Sequence, residues 1–81
     1  MHGLGMADAL LHKVEGQSAQ NPGKVVLEVR VKVGRFMFAD LSELTSAWEL
    51  IVRDTPLRDA KLSLELVDGR DCVLSGVVYE E

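Results

Sequence analysis

The spacing of apolar residues divides the chain into five segments, and the first has the period of a helix. Apolar positions recur every three or four residues there, which predicts an amphipathic helix over roughly residues 4–18. The motif Asn21-Pro22-Gly23 predicts the end of this helix and a turn. The apolar stripe of the helix consists of Leu4, Ala7, Leu10, Leu11 and Val14.

The second segment alternates with a period of two and is rich in β-branched residues, which predicts a strand with one buried and one solvated face. Gly34 is expected to close this strand. This segment also carries the only local cluster of basic residues, Arg30, Lys32 and Arg35. The cluster is interpreted as the solvated face of the strand. The row expected to be buried is Val25, Leu27, Val29, Val31 and Val33.

A second helix is predicted from Asp40 onward. Asp40-Leu41-Ser42-Glu43 has the spacing of a capping box, in which a side-chain oxygen satisfies a free N–H and Glu43 reaches back. Pro56 is expected to stop the helix near Thr55. The apolar stripe of this helix consists of Leu41, Leu44, Trp48, Ile51 and Val52.

Two further strands complete the pattern, one with Leu62, Leu64 and Leu66 alternating with polar residues and one over Cys72–Tyr79. Asp68-Gly69 between them has the composition of a two-residue hairpin turn. Such a hairpin sets Leu64 opposite Val73 and Leu62 opposite Ser75. The apolar faces then match only partly, so a β-bulge is expected near Gly76.

The predicted order is therefore helix, strand, helix, strand, strand. This order predicts an α+β two-layer sandwich in which two helices cover one face of a three-stranded sheet. With 81 residues the chain has room for one core, so residues 1–81 are interpreted as a single domain.

Charge and composition exclude several classes of function. The 9 basic and 13 acidic residues leave a net charge of −4, which argues against a nucleic-acid partner. The first ten residues contain no Lys or Arg, and no apolar run approaches the roughly 20 residues of a membrane span, so we expect no secretion signal and no membrane insertion. The single Cys72 forms no internal disulfide and is compatible with a reducing compartment, so a cytoplasmic location is expected.

Enzymatic chemistry is not indicated. There is no nucleophile elbow and no phosphate-binding glycine loop. Cys72 is interpreted as a half-buried strand residue. His12 has Asp8 and Glu15 nearby on its helix, and this trio is interpreted as a solvated face rather than as a metal site. A small enzyme that uses His12 or Cys72 is the least favoured hypothesis.

Met1-His2 is the strongest candidate for metal chemistry. Removal of the initiator Met normally requires a small second residue, so a free α-amine on Met1 is expected. That amine, the His2 imidazole and the backbone amides up to Gly3 can form chelate rings around one ion. Nitrogen ligands in a square plane favour Ni(II) or Cu(II).

The chain resembles the HypA/HybF family of nickel-insertion proteins, which serve hydrogenase and urease maturation. That family opens with Met-His-Glu and a helix, and continues with a strand ending in Ile-Gly, a helix carrying Leu and aromatic residues, an Arg/Lys-Gly-Thr linker and two further strands. The similar segments here are Met1-His2 and residues 7–11, 29–35, 41–52, 53–57, 60–65 and 76–81.

Two departures from the family pattern are visible. Gly3 stands where the family has Glu, so the charge or orientation that an acidic side chain supplies there is expected to be lost. The family also carries two CxxC pairs between its last two strands, whereas residues 67–70 join the strands directly here and only Cys72 remains. The resemblance therefore implies a shortened form without structural zinc.

The resemblance implies a non-catalytic nickel carrier that binds Ni(II) through Met1, His2 and Gly3. Its implied partners are a maturation GTPase of the HypB type and the precursor subunit of a nickel enzyme. The alternative is a metal-independent interaction module derived from the same family, which uses a sheet edge or a helix face. A homodimer is left open, because an edge strand over residues 25–33 or 72–79 would present unpaired backbone groups.

Overall fold

The computed structural model describes residues 2–36 and 41–81 and contains the five predicted elements in the predicted order. Asp40, the first residue of the predicted capping box, lies outside the described residues. The second helix ends three residues before Thr55, whose N–H and Oγ1 both donate to the carbonyl of Val52 at 2.9 and 2.8 Å. The elements are α1 (His2–Ser18), β1 (Val26–Gly34), α2 (Leu41–Val52), β2 (Lys61–Val67) and β3 (Cys72–Tyr79).

The three strands form a mixed sheet in the order β2-β1-β3, so the predicted hairpin between β2 and β3 is wrong. β1 lies between them, parallel to β2 with Val31 opposite Leu64, and antiparallel to β3 with Val31 opposite Leu74. The physical reason is α2, which connects β1 to β2 as a crossover and so allows parallel pairing. Leu64 consequently faces a residue of β1 rather than Val73, and Leu62 faces Val29 rather than Ser75.

The connection from β2 to β3 crosses the end of β1 and is bonded to it. The N–H groups of Gly34 and Phe36 donate to the carbonyls of Asp71 and Gly69 at 2.7 and 3.2 Å, and Arg35 N–H donates to Val67 at 2.9 Å. A Cβ atom at Gly34 would lie 2.6 Å from the carbonyl carbon of Gly69. Gly34 is therefore required by this close approach of two backbone segments.

Two irregularities displace the register between β1 and β3. The first shift lies between Arg30, which pairs with Gly76, and Val31, which pairs with Leu74. It confirms the bulge expected near Gly76, but the strand opposite the bulge is β1 and not β2. A second shift lies between Val26 and Glu28 and reverses the alternation at the start of β1. Val25 and Leu27 are consequently about half exposed while Val26 is buried, so the predicted buried row is wrong at these two positions.

Both helices pack on the same face of the sheet, as predicted, and the opposite face is solvated. The buried side of β1 joins the two helices in one core, and Arg30 and Lys32 on its other side are exposed as expected. Neither helix within the described residues is long and apolar enough to cross a membrane. The buried core consists of Ala7, Leu10, Val14, Val26, Val29, Val31, Val33, Leu44, Ala47, Trp48, Val52 and Leu57.

Candidate metal centre

The predicted metal-binding segment lies at the amino-terminal end of α1. Met1 is outside the described residues, and His2 is the first residue of the helix. Gly3 follows and is buried against α2, where its N–H donates to Oε1 of Glu43 at 3.3 Å. The first amides of a helix have no intrahelical acceptor, so Glu43 satisfies one of these N–H groups from a neighbouring element.

The space beside Gly3 is already filled by Glu43. A Cβ atom at Gly3 would lie 3.0 Å from Cγ, 3.2 Å from Oε1 and 3.3 Å from the backbone carbonyl oxygen of Glu43. A side chain at position 3 would therefore require Glu43 to move. The sequence-based prediction missed this contact because it considered Glu43 only as a cap of its own helix. The signal in the sequence was the glycine at position 3, which leaves space for another side chain.

The electrostatic environment of this end of α1 depends on the same carboxylate. The amino terminus of a helix carries a partial positive charge of about half an elementary charge, which disfavours a cation. The first turn of α1 contains no acidic residue, and Glu43 belongs to the first turn of α2. The Glu43 carboxylate therefore brings a negative charge to the positive end of α1.

His12 lies on the exposed face of α1, beside Asp8. Its Nδ1 lies 3.0 Å from the carbonyl oxygen of Asp8 and 3.6 Å from the Asp8 carboxylate, and both side chains are exposed. Among the described residues, no group of three His, Cys, Asp or Glu side chains could hold a metal ion. The exposure of the His12 and Asp8 side chains agrees with the interpretation of this part of α1 as a solvated face.

Cys72 is half-buried on β3, as predicted. Burial raises the pKa of its thiol, and the nearby positive charge of Lys13 opposes this only partly. The thiol borders a small cavity of about 210 Å³ lined by Met6, Ala9, Leu10 and Lys13. A thiol with a raised pKa is a poor nucleophile at neutral pH, so this arrangement is that of a packing residue.

A wider groove of about 450 Å³ lies at the other end of α1. It is bordered by Ser18, Val26 and Leu57, among others. Ser18 lies 15 positions after Gly3 on the same helix, which corresponds to about 22 Å along the axis. The groove is therefore separate from the candidate metal centre.

Comparison with known proteins identifies the family. Residues 1–74 match the model of the family described as HypA, hydrogenase/urease nickel incorporation, metallochaperone. The hydrogenase maturation factor HypA of Methanothermobacter thermautotrophicus is 31% identical over 96% of this chain and 66% of its own length. The corresponding factor of Methanopyrus kandleri is 29% identical over 85% of this chain and 49% of its own length.

The chain thus spans between about half and two thirds of the curated relatives that it matches. The match to the family model begins at Met1, and so it includes the Met1-His2-Gly3 segment and the α2 residue that contacts it. The five elements of the fold follow in the order expected from the family resemblance. On this evidence the chain belongs to the HypA family of nickel-incorporation metallochaperones.

Proposed function

We propose that this protein is a non-catalytic nickel carrier that binds Ni(II) with the Met1-His2-Gly3 segment and delivers it to a nickel enzyme. The single observation that carries the proposal is the family match over residues 1–74, which includes this segment. The donor chemistry supports it, because an α-amine, an imidazole and backbone amides are nitrogen ligands suited to Ni(II).

The position of the segment in the fold also supports the proposal. His2 begins α1, at the end of the helix where backbone amides lack intrahelical acceptors. The adjacent first turn of α2 adds a carboxylate, that of Glu43, to the amino-terminal end of α1. These groups are donors of the kinds that bind divalent transition metals.

The test of binding is a calorimetric titration of Ni(II) into the protein with its native terminus. We expect tight binding to the wild type, and much weaker binding to His2→Ala and to a variant with one extra residue before Met1. His12→Ala is the matched control, because His12 is exposed and contacts only Asp8 among the polar partners described. Equal affinity in all four proteins would refute the amino-terminal site.

The test of delivery uses the nickel-loaded protein and the nickel-free precursor subunit of a hydrogenase, with and without a GTPase of the HypB type. We expect nickel to move to the precursor from the wild type and not from His2→Ala at the same nickel concentration. Transfer at equal rates from free nickel and from the loaded protein would contradict a carrier role.

A structural zinc ion is not part of the proposal. The connection between β2 and β3 runs only from Asp68 to Asp71, and Cys72 is the single cysteine of the chain. We expect the purified protein to contain no stoichiometric zinc and to keep its unfolding temperature when treated with a chelator. Loss of stability on chelation would contradict this expectation.

A further inference from the structure

β3 lies at one edge of the sheet, and no strand within residues 2–36 and 41–81 pairs with its outer side. A strand at a sheet edge presents N–H and C=O groups that can bond to another chain. We propose that β3 is a dimerisation surface, on which two copies of this chain pair their β3 strands antiparallel and join their sheets into one. β1 cannot serve in this way, because β2 and β3 occupy both of its edges.

The first argument is the charge of the two edge strands. β2 carries Lys61 and Glu65, and charged side chains of this kind protect an edge from pairing with another chain. None of the 8 residues of β3 is charged, although 27% of the chain is. The net charge of −4 makes two copies repel one another in general. The uncharged edge of β3 is therefore the edge that a second copy approaches at the lower electrostatic cost.

The second argument is that the side chains of β3 match themselves when the strand is reversed. In an isologous dimer the same surface of each copy faces its counterpart, so the two strands pair about a midpoint. With the midpoint between Ser75 and Gly76, residues that share a face of the sheet lie opposite each other. Cys72 then pairs with Tyr79 and Leu74 with Val77, which all pack against the core, while Val73 pairs with Val78 on the solvated face.

The bulge in β3 makes this match possible. In a strictly alternating strand, a midpoint between two residues would set side chains from different faces opposite each other. Leu74 pairs with Val31 of β1, and Gly76 pairs with the preceding residue of β1, Arg30. Ser75 is the extra residue of the bulge, and its hydroxyl donates to the carbonyl of Arg30 at 3.1 Å. The bulge shifts the alternation by one residue, so that apolar side chains face apolar ones in the dimer.

The residues beside β3 leave the charge of the contact close to balanced. The same symmetry sets Asp71 opposite Glu80 of the second copy, which is repulsive. It also sets Arg70 opposite Glu81 of the second copy, which is attractive. All of these residues are exposed, so salt screens both contacts. Association through β3 therefore depends on the apolar pairs and the backbone hydrogen bonds, and only weakly on ionic strength.

Sedimentation equilibrium of Val73→Lys and Leu66→Lys tests which edge is used. Val73 on β3 and Leu66 on β2 are both apolar and both 49% exposed, so the two variants are matched. We expect the wild type to dimerise as its concentration rises. Val73→Lys should raise the dissociation constant about 10-fold or more, because symmetry introduces the charge twice. Leu66→Lys should dimerise like the wild type, and circular dichroism should show that both variants are folded.

Disulfide formation provides a second test that introduces no charge at the edge. In a Cys72→Ser background, Gly76→Cys places the thiols of the two copies on one face beside the symmetry axis, within reach of a disulfide. No atom lies within 4 Å of a Cβ atom added at Gly76, so this substitution fits the monomer. Glu65→Cys in the same background is the control, on an exposed position of β2. With dissolved oxygen as the oxidant, we expect a covalent dimer of the first variant and none of the control.

The outcomes decide between the two edges and between dimer and monomer. Weaker association of Val73→Lys alone, together with selective crosslinking at position 76, supports the proposal. A wild type that stays monomeric at about 1 mM, the weak end of specific association, overturns it. Equal loss of association in Val73→Lys and Leu66→Lys, or equal crosslinking at positions 76 and 65, also overturns it. The proposed nickel function is unaffected by either result, because the experiments use the protein without added metal.

Discussion

Replacement of Gly34 by Ala tests the strand order directly. In the structure the new Cβ atom would lie 2.6 Å from the carbonyl carbon of Gly69 and 2.8 Å from the backbone nitrogen of Arg70. The carbonyl oxygen of Gly69 would lie closer still, and ordinary contact begins near 3.4 Å, so the connection between β2 and β3 must move away from the end of β1 by about 1 Å. Both contacts are with backbone, which cannot rotate aside as a flexible side chain can.

The cost follows from the bonds that such a movement weakens. Three backbone hydrogen bonds, donated by the N–H groups of Gly34, Arg35 and Phe36, hold the connection to the end of β1. Each contributes about 0.5–1.5 kcal/mol. The loss of backbone freedom in the unfolded chain offsets about 0.4–1 kcal/mol of this. We expect Gly34→Ala to lower the free energy of unfolding by about 1–3 kcal/mol.

The assay is chemical denaturation followed by tryptophan fluorescence, since Trp48 is 2% exposed in the core. Gly16→Ala is the control, because no atom lies within 4 Å of a Cβ added at Gly16 on α1. That variant should gain up to about 1 kcal/mol from better helix propensity. If Gly34→Ala is as stable as the wild type, the connection does not cross β1 as described and the reasoning is refuted.

Three further predictions concern the core, the solvated sheet face and the thiol. Leu44→Ala, at a fully buried position, should lower the free energy of unfolding by about 2–5 kcal/mol in an unfolding titration. Leu50 is about half exposed, so Leu50→Ala should change that free energy by less than about 0.5 kcal/mol. The hydrogen bond from Ser63 and the neighbouring Arg30 lower the pKa of Glu28 below its ordinary 4.5, so this carboxylate contributes stability above pH 4.5 that is lost as the pH falls through the lowered pKa. The stability difference between wild type and Glu28→Gln should therefore shrink with acidification, and a constant difference would contradict this. Cys72, whose thiol pKa is raised by burial, should be alkylated more slowly in the native protein than in denaturant, and equal rates would contradict its burial.

The local pattern of apolar residues was sufficient to predict the five elements and, for most of them, which face is buried. Ala7, Leu10 and Val14 of the predicted helical stripe are buried as expected, and so is the row from Val29 to Val33. These assignments depend on residues close together in the chain, where a period of 3.6 or 2 determines which side chains share a face. Of the two exceptions, Leu27 lies at the register shift between β1 and β3, and Val25 lies just before β1.

The local sequence pattern predicted only part of the candidate site. The chemistry of Met1-His2 and the family resemblance identified the segment, and the later family match includes it. The contact of Glu43 with Gly3 was not predicted, because the capping-box spacing concerns only residues within four positions of one another. The contact joins Gly3 to a residue 40 positions away, which no local period reports.

By itself the sequence therefore determined the five elements and the two-layer class, since each follows from neighbouring residues. Only the tertiary structure decided that β1 is the central strand, that Gly34 lies beneath the connection from β2 to β3, and that α2 brings a carboxylate to Gly3. The physical reason is that these features are contacts between distant segments. They exist only once the α2 crossover has placed β2 beside β1 and the start of α2 against the start of α1.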